Sequence, residues 1–565
     1  MTAFLKRGRI DLAHVACLCI CIVPSTTLGA QGTTDRTGAG RRGIDVLHYE
    51  FRIDFPNRGV PDTIHVVATT TVRRTAPTDA LALDLIRAMQ VDSAQVNGAR
   101  VSFTRPGDSV RVALPPGSAD TVRVRVYYRG MPSDGLIMRA DSVLGWTAFG
   151  DNFPNRARQW LATIDHPSDK ALVDWIVRAP SSHRVIANGE LVDETPELGA
   201  AHMTRTHWRS THPLYTAVMV IGVAPFAVQG LGATACTRSA IASCPPQTVW
   251  TTTAHGAPVD GTVLPGAFAR SGAIVSRFEQ LIGPFPYEKL AHVASATRYG
   301  GMENAAAIFY AENLFRAGSP DESLIAHETA HQWFGDAVTV RQWPHIWLSE
   351  GFATYFAALW TEHAHGDSAL RRDVMAMRAR VLASTIVWER PVVNLELDDV
   401  AQVLNSNVYQ KAGFVLHMLR REIGDTAFFR GVRSYYALYR DGNAVTDDAR
   451  HAFERAAGRP LGWFFAQWLD RPGYPELTTA WRWDAIRRRV VVRVEQGTRV
   501  PAYQLALSVD VTDARGVTTR TSIQVPAATV SSIALPMRFA TRPRQVVFDA
   551  DVSLLGTTRA QPRAP

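Results

Sequence analysis

His327-Glu328-Thr329-Ala330-His331 is the stretch on which the reading of this 565-residue sequence turns. Two histidines at i and i+4 project from one face of a helix, where both imidazoles can grip one ion. A zinc site that acts on a bound molecule takes three protein ligands and keeps a fourth position for water. The third ligand is predicted on a following helix, in Trp347-Leu348-Ser349-Glu350-Gly351, where Glu350 follows His331 after eighteen intervening residues. That span allows one helix to end, a loop to turn and a second helix to run alongside. Glu328 is not a ligand in this reading. It takes a proton from water whose pKa the ion lowers from about 15.7 to about 7. The expected complement is one Zn2+ per chain.

The pattern around this stretch is helical, with three-to-four spacing of apolar residues over 323–333, 348–362 and 412–422. On the N-terminal side the chain alternates instead, over 48–55, 63–74, 109–114 and 121–128, with turn signals at Asn97-Gly98, Pro115-Pro116-Gly117 and Asn188-Gly189. Helices are predicted to run to about Asp470, where Arg471-Pro472-Gly473-Tyr474-Pro475 breaks them. Alternation then returns over 490–494, 505–511 and 546–550, as in a small β-sandwich.

Hydrophobic residues make up 46% and charged residues 20%, the composition of an ordinary folded chain. Beyond the N-terminus nothing approaches the ~20 apolar residues needed to cross a bilayer. The formal charge is +8, but the arginines are scattered. The densest cluster, Arg487-Arg488-Arg489, opens an alternating run without interleaved aromatics, so no nucleic-acid partner is expected. Lys6, Arg7 and Arg9 followed by apolar Ala13 to Val23 read as an export signal over 1–30, cut after Ala30. The chain is therefore expected to be exported, periplasmic or secreted, with membrane anchoring by the same segment left open. Removal of that segment leaves Cys236 and Cys244, which suggest one local disulfide.

A second motif narrows the chemistry. Gly300-Gly301-Met302-Glu303-Asn304 precedes the His327 helix and, with the zinc signature and Glu350, resembles the aminopeptidase N and leukotriene hydrolase family of zinc metallopeptidases. The resemblance implies that Gly300, Gly301 and Met302 form a strand edge that pairs with the substrate backbone, and that Glu303 binds the free α-amino group. In Val408-Tyr409-Gln410-Lys411 it implies that Tyr409 stabilises the developing oxyanion. Lys411-Ala412-Gly413 stands where the family usually has Lys-Gly-Ala. Asp165-His166-Pro167-Ser168-Asp169-Lys170 and Pro213-Leu214-Tyr215 resemble the family's N-terminal domain. The glutamine that the family commonly supplies there is missing from Gly150-Asp151-Asn152-Phe153, and Asp151 is the candidate substitute. Asp336 either orients a ligand histidine or caps the helix. His166, His292, His345 and His417 lack ligand spacing, and the tryptophans at 333, 343, 347 and 360 read as core around the helices.

The implied fold is multidomain α+β. A β-rich saddle domain spans 44–247 after a linker at 31–43, and a thermolysin-like, mainly helical catalytic domain spans 248–472. A small C-terminal β-sandwich follows at 473–555, then a disordered tail at 556–565. The family's large C-terminal helical domain is not apparent, so a short form with a more open site is expected. The implied activity is zinc-dependent removal of N-terminal residues from peptides with a free N-terminus. A related zinc endopeptidase and a non-catalytic peptide-binding module on the same fold are the alternatives.

Overall fold

The computed structural model describes residues 43–561 apart from 57–62, 117–119, 142–144, 198, 200–201, 234–243, 255–256, 259–266 and 317–320. The export signal and Cys236 lie outside these residues; Cys244 is disulfide-bonded. No helix among the described residues is long and apolar enough to cross a membrane.

Apart from residues 109–113, which join 80–84 and 103–104 in a separate three-stranded sheet, the N-terminal alternation becomes an eight-stranded sheet. Its strands are β1 (Ile44–Asp54), β2 (Ile64–Arg74), β3 (Gln90–Val96), β4 (Ala99–Val101), β5 (Thr121–Gly130), β6 (Leu172–Pro180), β7 (Glu190–Pro196) and β8 (Met203–Arg209), in the order β7-β8-β6-β1-β2-β5-β3-β4. In β5, Val122, Val124, Val126 and Tyr128 are buried, while Arg123 and Arg129 face solvent, so one face is core and the other is wet. β1 changes face once. A register shift between Val46 and His48 lets Val46, Tyr49, Phe51 and Ile53 all point inward. A four-stranded sheet, from residues 136–141, 145–150, 184–187 and 221–224, lies between this layer and the next. Its Phe149 meets Phe309 edge-to-face at 5.8 Å.

A six-stranded sheet underlies the site. It contains β9 (Phe226–Ala233), β10 (Pro246–Ala254), β11 (Leu290–Ser295), β12 (Gly301–Met302) and β13 (Ala307–Ala311), ordered β9-β10-β11-β13-β12, with Ala257–Pro258 pairing β10. Every residue of β11 is buried, as a strand flanked by parallel neighbours requires. The division expected at residue 248 thus falls inside β10, and strands from both sides of it share one sheet. Composition marked the change of helical content rather than the edge of hydrogen bonding.

The longer helices are α1 (Ser271–Leu281), α2 (Glu322–His331), α3 (Trp347–His365), α4 (Asp367–Ala383), α5 (Ala412–Ile423), α6 (Asp425–Tyr439), α7 (Thr446–Ala457) and α8 (Gly462–Leu469). The Asp321 side chain caps α2 by accepting from the Leu324 N–H at 2.7 Å. Trp333, Trp347 and Trp360 are fully buried, with Trp343 close behind, so the four tryptophans form core as expected. The C-terminal strands β14 (Glu476–Asp484), β15 (Arg489–Gln496), β16 (Leu505–Thr512), β17 (Thr518–Val525), β18 (Val530–Ala534), β19 (Gln545–Phe548) and β20 (Thr557–Ala560) form two sheets, β18-β15-β14-β20 and β17-β16-β19. The expected disordered tail is corrected here, because Thr557–Ala560 pairs in parallel with Glu476–Thr479. Its polar side chains hid a pairing made by backbone.

Gly189 occupies φ +86° in the predicted Asn188-Gly189 turn, and a Cβ there would lie 1.9 Å from the Arg209 carbonyl oxygen. Gly189→Ala is expected to cost at least ~2 kcal/mol through strain and backbone displacement, read as a lowered thermal midpoint.

Candidate active site

α2 and α3 bring the predicted trio together. The two Nε2 atoms of His327 and His331 are 3.1 Å apart, and Glu350 Oε2 lies 3.5 Å from the first and 3.3 Å from the second. Three donors bonded to one tetrahedral zinc at ~2.0–2.2 Å stand about 3.3 Å apart, so the spacing matches. All three residues are buried, and Glu350 Oε2 has no hydrogen-bond partner. An orphaned carboxylate oxygen facing two imidazole nitrogens is the donor set of a borderline-soft cation.

The carboxylates intensify that demand. Glu303, Glu328 and His331 offer ligand atoms that all lie within 4.8 Å of one another, so three glutamates crowd two histidines in a buried space. Burial pushes the Glu328 carboxyl well up. Burial also raises Glu303, opposed by His331 and reinforced by Glu350. On His331, burial would favour the neutral ring, but the Glu303 and Glu350 charges overcome it and lift the imidazole to about 10. Glu350 is the converse, with burial outweighed by His331 and the carboxyl held well below its usual range. The cluster holds a proton on His331 for want of other positive charge, and a divalent cation would supply that charge instead.

Local backbone features aim these groups. Gly335 sits at φ +125°, and its N–H donates to the Val338 carbonyl as the chain leaves α2. The turn presents the Phe334 carbonyl to His331 Nδ1 at 3.1 Å, and Ser349 Oγ approaches the same nitrogen at 2.9 Å. With Nδ1 carrying the hydrogen, Nε2 keeps its lone pair for a metal. Asp336 does not orient a ligand histidine. Its Oδ2 accepts from Gln332 Nε2 at 3.0 Å, and the hydrogen bond that joins it to His331 is made by the backbone.

Gly301 in β12 lies against Glu328, where a Cβ would come within 2.1 Å of Oε1, so the close approach requires glycine. β12 ends its sheet, as a substrate-pairing edge must. Tyr409 sits in a π-helical turn, Asn407–Lys411, and its hydroxyl donates to Glu350 Oε1 at 2.9 Å. Ala412 Cβ packs 2.6 Å from where a Cβ on Gly351 would be, so the altered Lys-Ala-Gly order is absorbed behind the tyrosine.

These groups surround a cavity of about 40 Å³ whose other walls are Phe153, Tyr299, Met302 and Leu404. Asp151 is not among its lining residues. Fully buried, it pairs with Arg156 at 2.9 Å and Arg298 at 3.0 Å, and Phe153 is what the same stretch presents to the cavity. Lys170, in the segment resembling the family's N-terminal domain, donates to the Asp336 and Ala337 carbonyls at 2.8 and 2.9 Å and ties that domain to the end of α2. Ser349 and Gln332 were missed by sequence reasoning. Their signal was adjacency, one residue before Glu350 and one after His331.

A buried His-His-Glu trio on two helices, with a second glutamate beside it, is an arrangement that could hold a metal ion. The peptidase family M1 domain matches residues 271–468, the stretch that carries His327, His331, Glu350 and Tyr409. It is 27% identical, with a TM-score of 0.65, to the M1 zinc metallopeptidase of Deinococcus radiodurans, over 77% of this chain and 95% of that one. It is 26% identical over 460 residues to a leucyl aminopeptidase of Saccharolobus solfataricus, covering 76% of this chain and 54% of the relative. The Legionella pneumophila aminopeptidase A shares the fold at 16% identity, with a TM-score of 0.78 over 92% of this chain and 60% of that one. The chain spans about half the length of the curated relatives it matches. The match to the M1 zinc metallopeptidases implies zinc, and His327, His331 and Glu350 form a group that could bind a metal ion.

Ser349→Ala removes a hydrogen bond to a ligand ring, so zinc affinity is expected to fall about 10-fold or more in a chelator competition. Gly335→Ala, whose Cβ would lie 2.3 Å from Ser349 Oγ, should shift it the same way.

Proposed function

We propose that the protein is a zinc aminopeptidase that removes N-terminal residues from peptides. The observation that carries this reading is the place of Glu303. Its carboxylate lines the same buried cavity as the ligand trio, at the end of a free sheet edge. A peptide laid along β12 puts its amino terminus at Glu303 and its first carbonyl toward His327 and His331.

His327, His331 and Glu350 would hold the zinc, which supplies Lewis acidity that acidifies water and polarises a carbonyl. Glu303 binds the substrate ammonium by a charge-assisted hydrogen bond, which limits cleavage to chain termini. Glu328, whose buried carboxyl binds protons more tightly than a free one, accepts a proton from the attacking water and passes it to the leaving amine. Tyr409 is buried beside Glu350, so its phenol stays protonated, and its hydrogen turns from Glu350 Oε1 to the oxygen on which charge develops. Gly300, Gly301 and Met302 align the substrate backbone. The basic and apolar segment at 1–30 supports export to the periplasm or beyond.

Glu328→Gln is expected to retain zinc by metal analysis and to lose at least ~100-fold in turnover of aminoacyl nitroanilides. N-acetylation of the substrate should abolish cleavage. Equal rates on acetylated and free-amine peptides would remove Glu303 from its role and leave an endopeptidase.

A further inference from the structure

The segment that carries Glu303 has a backbone that it would not hold alone. Ala306 is buried at φ +64°, in the left-handed region that residues with a Cβ seldom enter. Such a conformation persists only where the surroundings over-determine it. Here two buried side-chain amides do so. Gln332 Oε1 accepts from the Ala306 N–H at 2.8 Å, and Gln332 Nε2 donates to the Glu303 carbonyl at 2.8 Å, so one side chain spans the turn. Asn188 Nδ2 donates to the Ala305 carbonyl at 2.8 Å from the N-terminal domain.

Neither amide is free to turn. Gln332 Nε2 also donates to Asp336 Oδ2, and Asn188 is pinned by the Val220 N–H at 2.6 Å and the Val218 carbonyl at 2.9 Å. Both side chains are fully buried. Gln332 follows His331 in sequence, so the residue that clasps the Glu303 backbone is covalently next to a metal ligand.

We infer that Gln332, assisted by Asn188, is a positioning residue that sets the distance between the ammonium anchor and the ligand trio. The inference rests on the reading of Glu303 as the ammonium site. An exopeptidase must hold one residue's length between the amine it reads and the carbonyl it cleaves, and misplacement by ~1 Å costs about 100-fold in rate. A carboxylate between a two-residue strand and a left-handed alanine would not keep that distance without the clasp. The clasp transmits the position of α2 to Glu303 without touching substrate.

The test uses two zinc-binding inhibitors that differ only in the α-amine, an amino acid hydroxamate and its des-amino analogue. Their inhibition-constant ratio reads the ammonium contact, while the des-amino compound reads the metal site. In the zinc-loaded enzyme, Gln332→Met, which keeps length without the amide, is expected to shrink the ratio about tenfold or more, with zinc content and the des-amino constant unchanged. Gln332→Glu keeps the acceptor for Ala306 but loses the donors, and should fall between. Asn188→Ala reaches the same segment from the other domain and serves if the Gln332 variants fail to fold. Equal weakening of both inhibitors in these variants would make the role merely structural and overturn the inference. An unchanged ratio would overturn it too, provided Glu303→Gln collapses the ratio. If Glu303→Gln leaves the ratio intact, the ammonium reading itself fails and the inference falls with it.

Discussion

Everything in this molecule is arranged around an excess of negative charge in a buried space. Glu303, Glu328 and Glu350 converge on two imidazoles with little water to solvate them. A carboxylate so placed is costly unless it is paired, protonated or bound to metal. The protein uses the first two remedies in part and leaves one carboxylate oxygen open to the third. His331 binds its proton tightly, Glu328 and Glu303 shift toward the neutral form, and one oxygen of Glu350 stays without a hydrogen. Such a cluster is unfavourable as structure, and positive charge brought into it would relieve the repulsion.

The surrounding layers hold the cluster together against its own repulsion. α2 and α3 supply the His327, His331 and Glu350 donors, but the turn at Gly335 decides that the Phe334 carbonyl meets His331. The N-terminal domain contributes more than a wall. Lys170 grips the end of α2, Asn188 grips the segment behind Glu303, and Phe153 faces the cavity. The sheet below recruits β9 and the first residues of β10 from sequence that reads as N-terminal domain, so the two regions share hydrogen bonds as well as a surface.

The ligand trio was legible because it depends on local helix geometry, with His327 and His331 one turn apart and Glu350 at a length suited to the next helix. Strands such as β5 were legible from the alternation of valine with arginine. What escaped was set by tertiary pairing. Asp151 suited an amine until Arg156, three residues past Asn152's neighbour Phe153, and the distant Arg298 were seen to claim it. Ser349 and Gln332 are unremarkable polar residues until the turn at Gly335 and the left-handed Ala306 give them partners. Thr557–Ala560 looked like a tail because parallel pairing with β14 needs only its backbone.

The brevity of β12 has a bearing on how copies of the chain coexist. An unpaired sheet edge invites strands from other molecules, and folds commonly blunt such edges by keeping them short or bent. Here the edge offers two residues, Gly301 and Met302, before the chain turns away through Ala306. That is room for the first residues of a peptide and too little for a full strand of a neighbour. The same shortness that suits a small guest also makes the mouth of the site a poor template for self-association, even at high protein concentration.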